Sequence, residues 1–310
     1  MSVPTRKLGK TGLDVSILGI GGGHIARKHI SEQQSVNLIQ RAIDEGITFM
    51  DNAWEYHGGE SERRMGLALE GRRDKVVLMT KVCGRDRQDA EQNLHDSLQR
   101  LRTDVIDVWQ FHEINYDNDP EWICGVGGAL EAAEAARQAG KVRFIGFTGH
   151  KSPHIMKKML DMGFDWDTCQ LPVNVLDYHY RSFQRELLPQ LVEQGVGVIG
   201  MKSLGGDAQI VLGAGLTPQQ CRAYALSQPI STLVTGMESD KDLDQDLAIA
   251  RNFSPMPEDV QADLREQVRE VAGDGRYEWF KSTQYYDAIT HRMQHGFDPA
   301  SSGQAAAPPK

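Results

Sequence analysis

Short apolar and β-branched runs alternate along this chain with longer segments in which apolar positions recur every three or four residues, and Gly, Pro or charged turns separate the two kinds. Eight such pairs follow one another. The runs at 16–20, 48–51, 76–82, 105–112, 142–148, 168–174, 196–203 and 232–236 read as strands. The segments at 32–45, 62–69, 88–101, 129–139, 154–162, 184–193, 218–226 and 241–251 read as helices. Ser31 with Gln34 has the form of a capping box, Val36, Ile39 and Ile43 follow at helical spacing, and Gly46 closes the pattern. Gly71, Gly140, Gly163 and Gly195 stand just beyond other predicted helices, where a left-handed closing residue is expected.

Strands that are apolar nearly throughout, each followed by a helix, predict a parallel sheet covered on both faces. Eight units in succession predict an α/β fold of the closed (β/α)8 barrel type, with an open doubly wound sheet as the alternative. Residues 6–15, with turn residues from Gly9 to Gly12, predict a hairpin across the bottom of the barrel, and 257–271 predict an additional helix. An aromatic segment with Tyr277, Trp279, Phe280, Tyr285 and Tyr286 follows. The expected organisation is one barrel domain over 1–296. Residues 297–310, ending in SSGQAAAPPK, hold too few large apolar side chains to bury themselves and are expected to be disordered.

Charge narrows the partners. With 34 Lys plus Arg against 43 Asp plus Glu, the formal net charge is −9, which argues against a nucleic acid partner. No run approaches the roughly 18 apolar residues of a membrane span. The opening residues lack the apolar core of a secretory signal, so the expected compartment is the cytoplasm. Cys83, Cys124, Cys169 and Cys221 form no CxxC pair and fall in or near apolar runs, which reads as reduced packing residues.

In barrels of this type the working groups stand at the C-terminal ends of the strands. The second predicted strand ends in Asp51, the third carries Lys81 near its end, the fourth ends in His112, and Tyr56 lies on the loop that leaves the second. A free phenol loses its proton near pH ~10, so it is a poor acid at neutrality unless an ammonium group stabilises the phenolate. Lys81 can supply that charge, Asp51 can hold Lys81 protonated and aimed, and His112 can hydrogen-bond a substrate oxygen. Taken singly, these residues have ordinary explanations as a turn cap, an exposed strand end and a core histidine. Their joint appearance on one rim is what points to chemistry. Trp54, His57 and Glu113 belong to the same rim loops and are candidates, with His112, to line a substrate pocket. Gly22, in the run GIGGGH, would let backbone approach a flat ring; the sixth position of that run is His24, so the GxGxxG dinucleotide pattern fails.

The segments FMDNAWEYHGGESERRMGLAL, VVLMTKV, LQRLRTDVIDVWQFHE and GKVRFIGFTGH resemble the aldo-keto reductase family, and the resemblance runs from about residue 6 to residue 251. It implies a barrel that binds a nicotinamide cofactor without a Rossmann fold and reduces a small aldehyde or ketone to an alcohol, or the reverse. It places the family's catalytic tetrad on Asp51, Tyr56, Lys81 and His112, with Tyr56 as general acid and base. Cofactor contacts are implied at Thr148, Gly149, Gln170, Asn174, Met201, Lys202, Ser203 and Leu204. A loop after the last strand resembles the adenosine phosphate site and implicates Gly236, Ser239, Lys241, Asp242 and Asp246. Thr148 and Gly149 stand where the family usually has Ser-Asn, Met201 where it commonly has an aromatic residue, and Asp246 where it usually has Asn. Lys241 is the only cation in that loop, among Glu238, Asp240, Asp242 and Asp246. NADP(H) is the cofactor the family implies, and the acidic surroundings keep NAD(H) as the alternative.

Other readings compete. Asp51, His57 and His112 could serve a metal-dependent barrel hydrolase, and the departures at Gly149 and Met201 would suit a cofactor-binding regulatory module with little turnover. His291 and His295 have the spacing of zinc ligands but lack an evident third, so they read as a solvated helix end and no metal is expected.

Overall fold

The computed structural model describes residues 2–298; residues 299–310 of the expected tail lie outside the described residues. Strands β1 (Thr5–Lys7) and β2 (Asp14–Ser16) form an antiparallel hairpin in which Thr5 faces Ser16. Eight further strands follow: β3 (Leu18–Gly21), β4 (Phe49–Asp51), β5 (Val77–Val82), β6 (Ile106–Phe111), β7 (Val142–Thr148), β8 (Thr168–Pro172), β9 (Gly197–Met201) and β10 (Thr232–Thr235). They pair in parallel in chain order, and β10 closes on β3 with Leu233 opposite Leu18. The sheet is therefore the closed barrel and not the open alternative. Four of the eight strands stop one or two residues short of the predicted C-terminal ends, because His112, Asn174, Ser203 and Gly236 already belong to the rim loops.

The helices cover the outside of the barrel. The first, Glu32–Asp44, opens with the predicted capping box: the Gln34 amide donates to Ser31 Oγ at 3.3 Å and the Ser31 amide donates to Gln34 Oε1 at 2.9 Å. One predicted helix is broken. Residues 184–193 divide into Phe183–Glu186 and Leu188–Glu193, and Leu187 between them has φ −120°. Pro189 occupies the first turn of the second piece, where its missing N–H costs nothing, whereas it cannot sit inside a continuous helix.

Two apolar layers hold the barrel, and a third cluster, with Leu176, Ile210, Tyr224, Leu264 and Val268, packs the extra helix Glu258–Ala272 against it. The larger lies between strands and helices and includes Ile20, Trp109, Ile145 and Cys169. The smaller fills the barrel itself, where Leu8 and Val15 of the hairpin join Phe49, Met79, Val108 and Ile199. Leu8 is fully buried and its side chain occupies the space a Cβ on Gly197 would need. Gly9 has φ +50°, and a Cβ there would stand 2.3 Å from the Gly197 nitrogen, so the hairpin turn presses on the barrel floor as closely as glycine permits.

Beyond the barrel, the predicted extra helix is present as Glu258–Ala272. A short helix that the sequence did not announce, Trp279–Ser282, and a second, Ile289–Gln294, that carries the expected His291, then cross the rim that carries the C-terminal strand ends. Phe297, expected to fall in the disordered tail, packs against Tyr116 with ring centroids 5.7 Å apart. Among the described residues no helix is long and apolar enough to cross a membrane. All four cysteines are free thiols, three of them buried.

The hairpin plug makes a quantitative prediction. Leu8→Ala should leave a cavity at the barrel floor and lower the unfolding free energy by about 2–5 kcal/mol, measured by urea denaturation, with the urea m-value unchanged.

Candidate active site

A cavity of about 800 Å³ opens at the C-terminal mouth of the barrel, large enough for an extended organic ligand. At its base lie Asp51, Tyr56 and His112, with Lys81 immediately behind them. The strand register sets these positions: Asp51 ends β4 opposite Met79, and Lys81 stands two residues further along β5. Lys81 is 1% exposed. Its ammonium group donates to Asp51 Oδ1, to the Asn52 carbonyl at 2.7 Å and to the Tyr56 hydroxyl at 3.4 Å, so its three protons each have a partner. The other Asp51 oxygen accepts from Gln170 Nε2 at 3.0 Å, across the barrel. Burial, followed by the Asp51 and Glu55 carboxylates, pushes the Tyr56 phenol well above its ordinary value. This differs from the sequence expectation that Lys81 would bring the phenol down; the buried surroundings and the nearby carboxylates outweigh the ammonium, and Tyr56 holds its proton at neutral pH.

His112 lies edge-on to Tyr56, with ring centroids 5.6 Å apart. Its Nδ1 is 3.1 Å from Glu55 Oε1, which leaves Nε2 to face the cavity. Burial, with the Lys81 charge second, keeps the imidazole neutral by lowering its pKa well below the ordinary value. The adjacent Glu113 has φ +51° and accepts from the Ala288 amide at 2.9 Å. Burial, reinforced by Glu55 and Asp287, pushes its carboxyl well up.

The segment after the barrel builds part of the wall. Asp287, buried, accepts from Asn115 Nδ2 at 3.3 Å and from the Tyr116 hydroxyl at 3.2 Å, and meets His150 Nε2 at 3.2 Å and Lys151 Nζ at 2.9 Å. Burial alone would raise the Asp287 carboxyl, but the His150 hydrogen bond and the neighbouring charges outweigh it and hold the group low. His291 and His295 are not a solvated helix end as expected. His291 is fully buried against His112, and His295 meets Asp119 Oδ1 at 3.0 Å while stacking on Tyr116. The helix lies on the rim instead of standing in solvent, so both rings turn inward.

Above the base, ion pairs join loops on opposite sides of the mouth. Glu238 meets His24 Nδ1 at 2.8 Å and Arg27 Nη1 at 2.6 Å, while Asp207 meets Arg27 Nη2 at 3.1 Å and accepts from the Tyr286 hydroxyl at 2.8 Å.

Of the other residues singled out in the sequence, Glu113, Thr148, Gln170, Met201, Lys202, Ser203, Leu204, Gly236 and Asp242 line the cavity. The remainder fall outside its lining, most of them with a structural partner. Gly22 lies against the Asn52 side chain, where a Cβ would be 2.7 Å away, and its neighbours Gly21 and Gly23 line the cavity in its place. Gly149 packs on Met156 and the Ile114 carbonyl. Asn174 donates to Glu278 Oε1 at 3.0 Å and accepts from the Leu176 and Asp177 amides. Ser239 caps helix Asp240–Arg251, and Lys241 is exposed on that helix. Asp246 is buried in a two-point pair with Arg222, at 3.0 and 3.1 Å. Arg222, whose Nη1 donates to Ser203 Oγ at 2.7 Å, lines the cavity together with Arg27 and Lys202, whereas Lys241 does not. Trp54 turns outward to Asp96, at 3.0 Å, and His57 bonds the Gly23 carbonyl at 2.9 Å on the exposed rim. The Asp51–His57–His112 set required by the hydrolase alternative is consequently not assembled. Sequence reading missed Arg27, Glu55, His150, Arg222 and Asp287. The pairing of Arg222 with Asp246 joins successive helices 24 residues apart and has no local signature.

Residues 17–214 match the model of the Aldo/keto reductase family, and the chain belongs to that family. L-Galactose dehydrogenase of Arabidopsis thaliana is 30% identical over 222 residues, covering 65% of this chain and 66% of that protein. Aldo-keto reductase AFTS1 of Alternaria alternata is 29% identical over 242 residues, covering 64% of each. The chain thus spans just under two thirds of the length of these curated relatives. Among solved structures, aldo-keto reductase AKR11C1 of Bacillus halodurans, in its holo form, superposes with a TM-score of 0.73 at 22% identity, covering 86% of this chain and 96% of that one. An aldo/keto reductase of Klebsiella pneumoniae in complex with NADP and acetate superposes with a TM-score of 0.67 at 22% identity, covering 87% and 96%.

The Asp287 contacts predict that Asp287→Ala releases the rim segment without unfolding the barrel. Hydrogen exchange should accelerate at least about tenfold for amides in 283–297 and stay unchanged in β5 and β6.

Proposed function

We propose that this chain is an NADP(H)-dependent oxidoreductase that interconverts a small aldehyde or ketone and its alcohol, with Tyr56 as proton donor in reduction and proton acceptor in oxidation. The observation that carries this reading is the buried Lys81 ammonium, bonded at once to Asp51, the Asn52 carbonyl and the Tyr56 hydroxyl. Burial and the carboxylates favour the protonated phenol, and the fixed positive charge of Lys81 offsets part of that cost when the proton is passed to a substrate oxygen.

The cavity suits the cofactor. Gln170 uses its Nε2 on Asp51, and its Oε1 is buried without a partner, an acceptor left for the amide N–H of a carboxamide. Thr235 Oγ1 is likewise buried and unpartnered in the cavity lining. Gly21, Gly23 and Gly236 bare their backbone there, and a Cβ on Gly236 would meet the His24 ring at 2.3 Å. Arg27 and Arg222 bring positive charge for phosphate groups, and the relative from Klebsiella pneumoniae binds NADP.

When bound, the nicotinamide supplies hydride to the carbonyl carbon. Tyr56 gives its proton to the carbonyl oxygen as the C–O bond becomes an alcohol. Lys81 stabilises the phenolate that remains, while Asp51 and the Asn52 carbonyl keep the ammonium in place. His112, neutral and edge-on to Tyr56, orients the same oxygen through Nε2. The family relationship and the acid–base geometry support this account together.

Tyr56→Phe tests it. The variant should bind NADPH as tightly as the wild type, and more tightly than NADH, in a titration of tryptophan fluorescence, while single-turnover oxidation of NADPH by a carbonyl substrate slows by about 10²–10⁴. A variant that turns over at the wild-type rate removes Tyr56 from the mechanism.

A further inference from the structure

Four side chains with metal-binding atoms converge behind His112: Glu55 from the loop after β4, Cys83 just after β5, His112 just after β6, and His291 from the rim helix Ile289–Gln294. One ligand atom from each lies within 4.8 Å of all the others. Within the group, His112 Nδ1 is 3.1 Å from Glu55 Oε1 and 3.9 Å from Cys83 Sγ. Of the four only His112 lines the cavity; Glu55, Cys83 and His291 stand outside its lining.

His291 supplies the independent observation. Its Nδ1 stands 3.2 Å from Gln294 Oε1, and the orientation of that amide is set because Gln294 Nε2 donates to the Cys83 carbonyl at 3.0 Å. An amide oxygen only accepts, so the proton resides on His291 Nδ1. Nε2 is therefore a bare lone pair. It is fully buried, has no hydrogen-bond partner, and its nearest carboxylate oxygen, on Glu113, is 4.0 Å away. A buried acceptor left unmatched is costly unless something fills the space in front of it.

We propose that Glu55, Cys83, His112 and His291 form a binding site for one divalent transition metal ion, with zinc the best match. Two imidazoles, one thiolate and one carboxylate are a borderline-soft set suited to zinc and not to calcium or magnesium. Zinc in a tetrahedral site of this kind has ligand atoms roughly 3.3–3.8 Å apart, so the widest pair closes by about an ångström. Cys83 loses its proton to solvent as the metal–sulfur bond forms. The two charges of the ion then balance one thiolate and one carboxylate, and the buried site is neutral overall.

Two consequences follow. The metal ties the rim helix to the ends of three strand–loop units through His291. It also occupies the Nδ1 lone pair of His112, which obliges a neutral ring to carry its proton on Nε2, the nitrogen that faces the cavity. That second consequence rests on the function proposed above; the site itself does not.

The test uses the full chain, stripped with a chelator and titrated with Co²⁺, whose spectrum reports ligand type independently of turnover. The wild type should saturate at one equivalent, with visible bands of tetrahedral cobalt and a near-ultraviolet thiolate-to-cobalt band. Cys83→Ser should lose the thiolate band, His291→Gln should weaken binding at least about tenfold, and His29→Gln, an exposed histidine outside the group, should change neither. Circular dichroism establishes that the variants fold, and if one does not, the wild-type titration decides alone. Absence of a saturable cobalt spectrum in the wild type, or bands that survive unchanged in folded Cys83→Ser and His291→Gln, overturns the proposal.

Discussion

A positive charge buried in an apolar barrel needs partners on every side, and Lys81 organises the rim because it has them. Desolvating an ammonium group is unfavourable by several kcal/mol, and the balance is restored only when the geometry is good and every proton is bonded. Asp51 neutralises the charge, the Asn52 carbonyl takes a second proton, and Gln170 satisfies the far oxygen of Asp51 from the opposite side of the barrel. The demand propagates outward. The Asn52 amide donates to the Met79 carbonyl at 2.9 Å, which holds the Asn52 carbonyl toward Lys81, and Gly22 has no side chain because Asn52 occupies that space. The Tyr56 hydroxyl, at 3.4 Å, accepts the third bond of the same ammonium group.

The features that were legible in the sequence are those whose cause is local. Apolar runs of strand length announce strands wherever both faces of a sheet are covered, and Ser31 with Gln34 announces a helix start through atoms three residues apart. Asp51, Lys81 and His112 stood out because ionisable residues end otherwise apolar strands. Asn174 and Asp246 could not be placed this way. Each has the polar character of a ligand contact, yet each is consumed by a partner the fold brings from far along the chain, Glu278 for one and Arg222 for the other. His291 and His295 were misjudged for the same reason. A helix that looks half-polar in isolation becomes buried when the surface receiving it is itself polar, here Asp119, Glu113 and His112.

The mouth of the cavity has a different mechanical character from its base. Glu238 and Asp207 reach Arg27, His24 and Tyr286 through contacts that are partly open to solvent, with side-chain exposures of 26–37% among Arg27, Asp207, Glu238 and His24. Such pairs contribute about 0–1 kcal/mol each and weaken with salt. They can therefore part to admit a long ligand without disturbing the groups beneath, which are fixed by buried bonds.

The Asp287 contacts also bear on the order in which the protein acquires its working form. Asn115 and Asp287 are 172 residues apart, so joining them closes a long loop. The equilibrium penalty is modest, since each doubling of a loop adds only about 0.6 kcal/mol. On a ribosome, however, every strand of the barrel has emerged before Asp287 is made. The barrel can therefore close before the segment around Asp287 docks, and the wall of the cavity is the part of the fold that the chain is able to complete last.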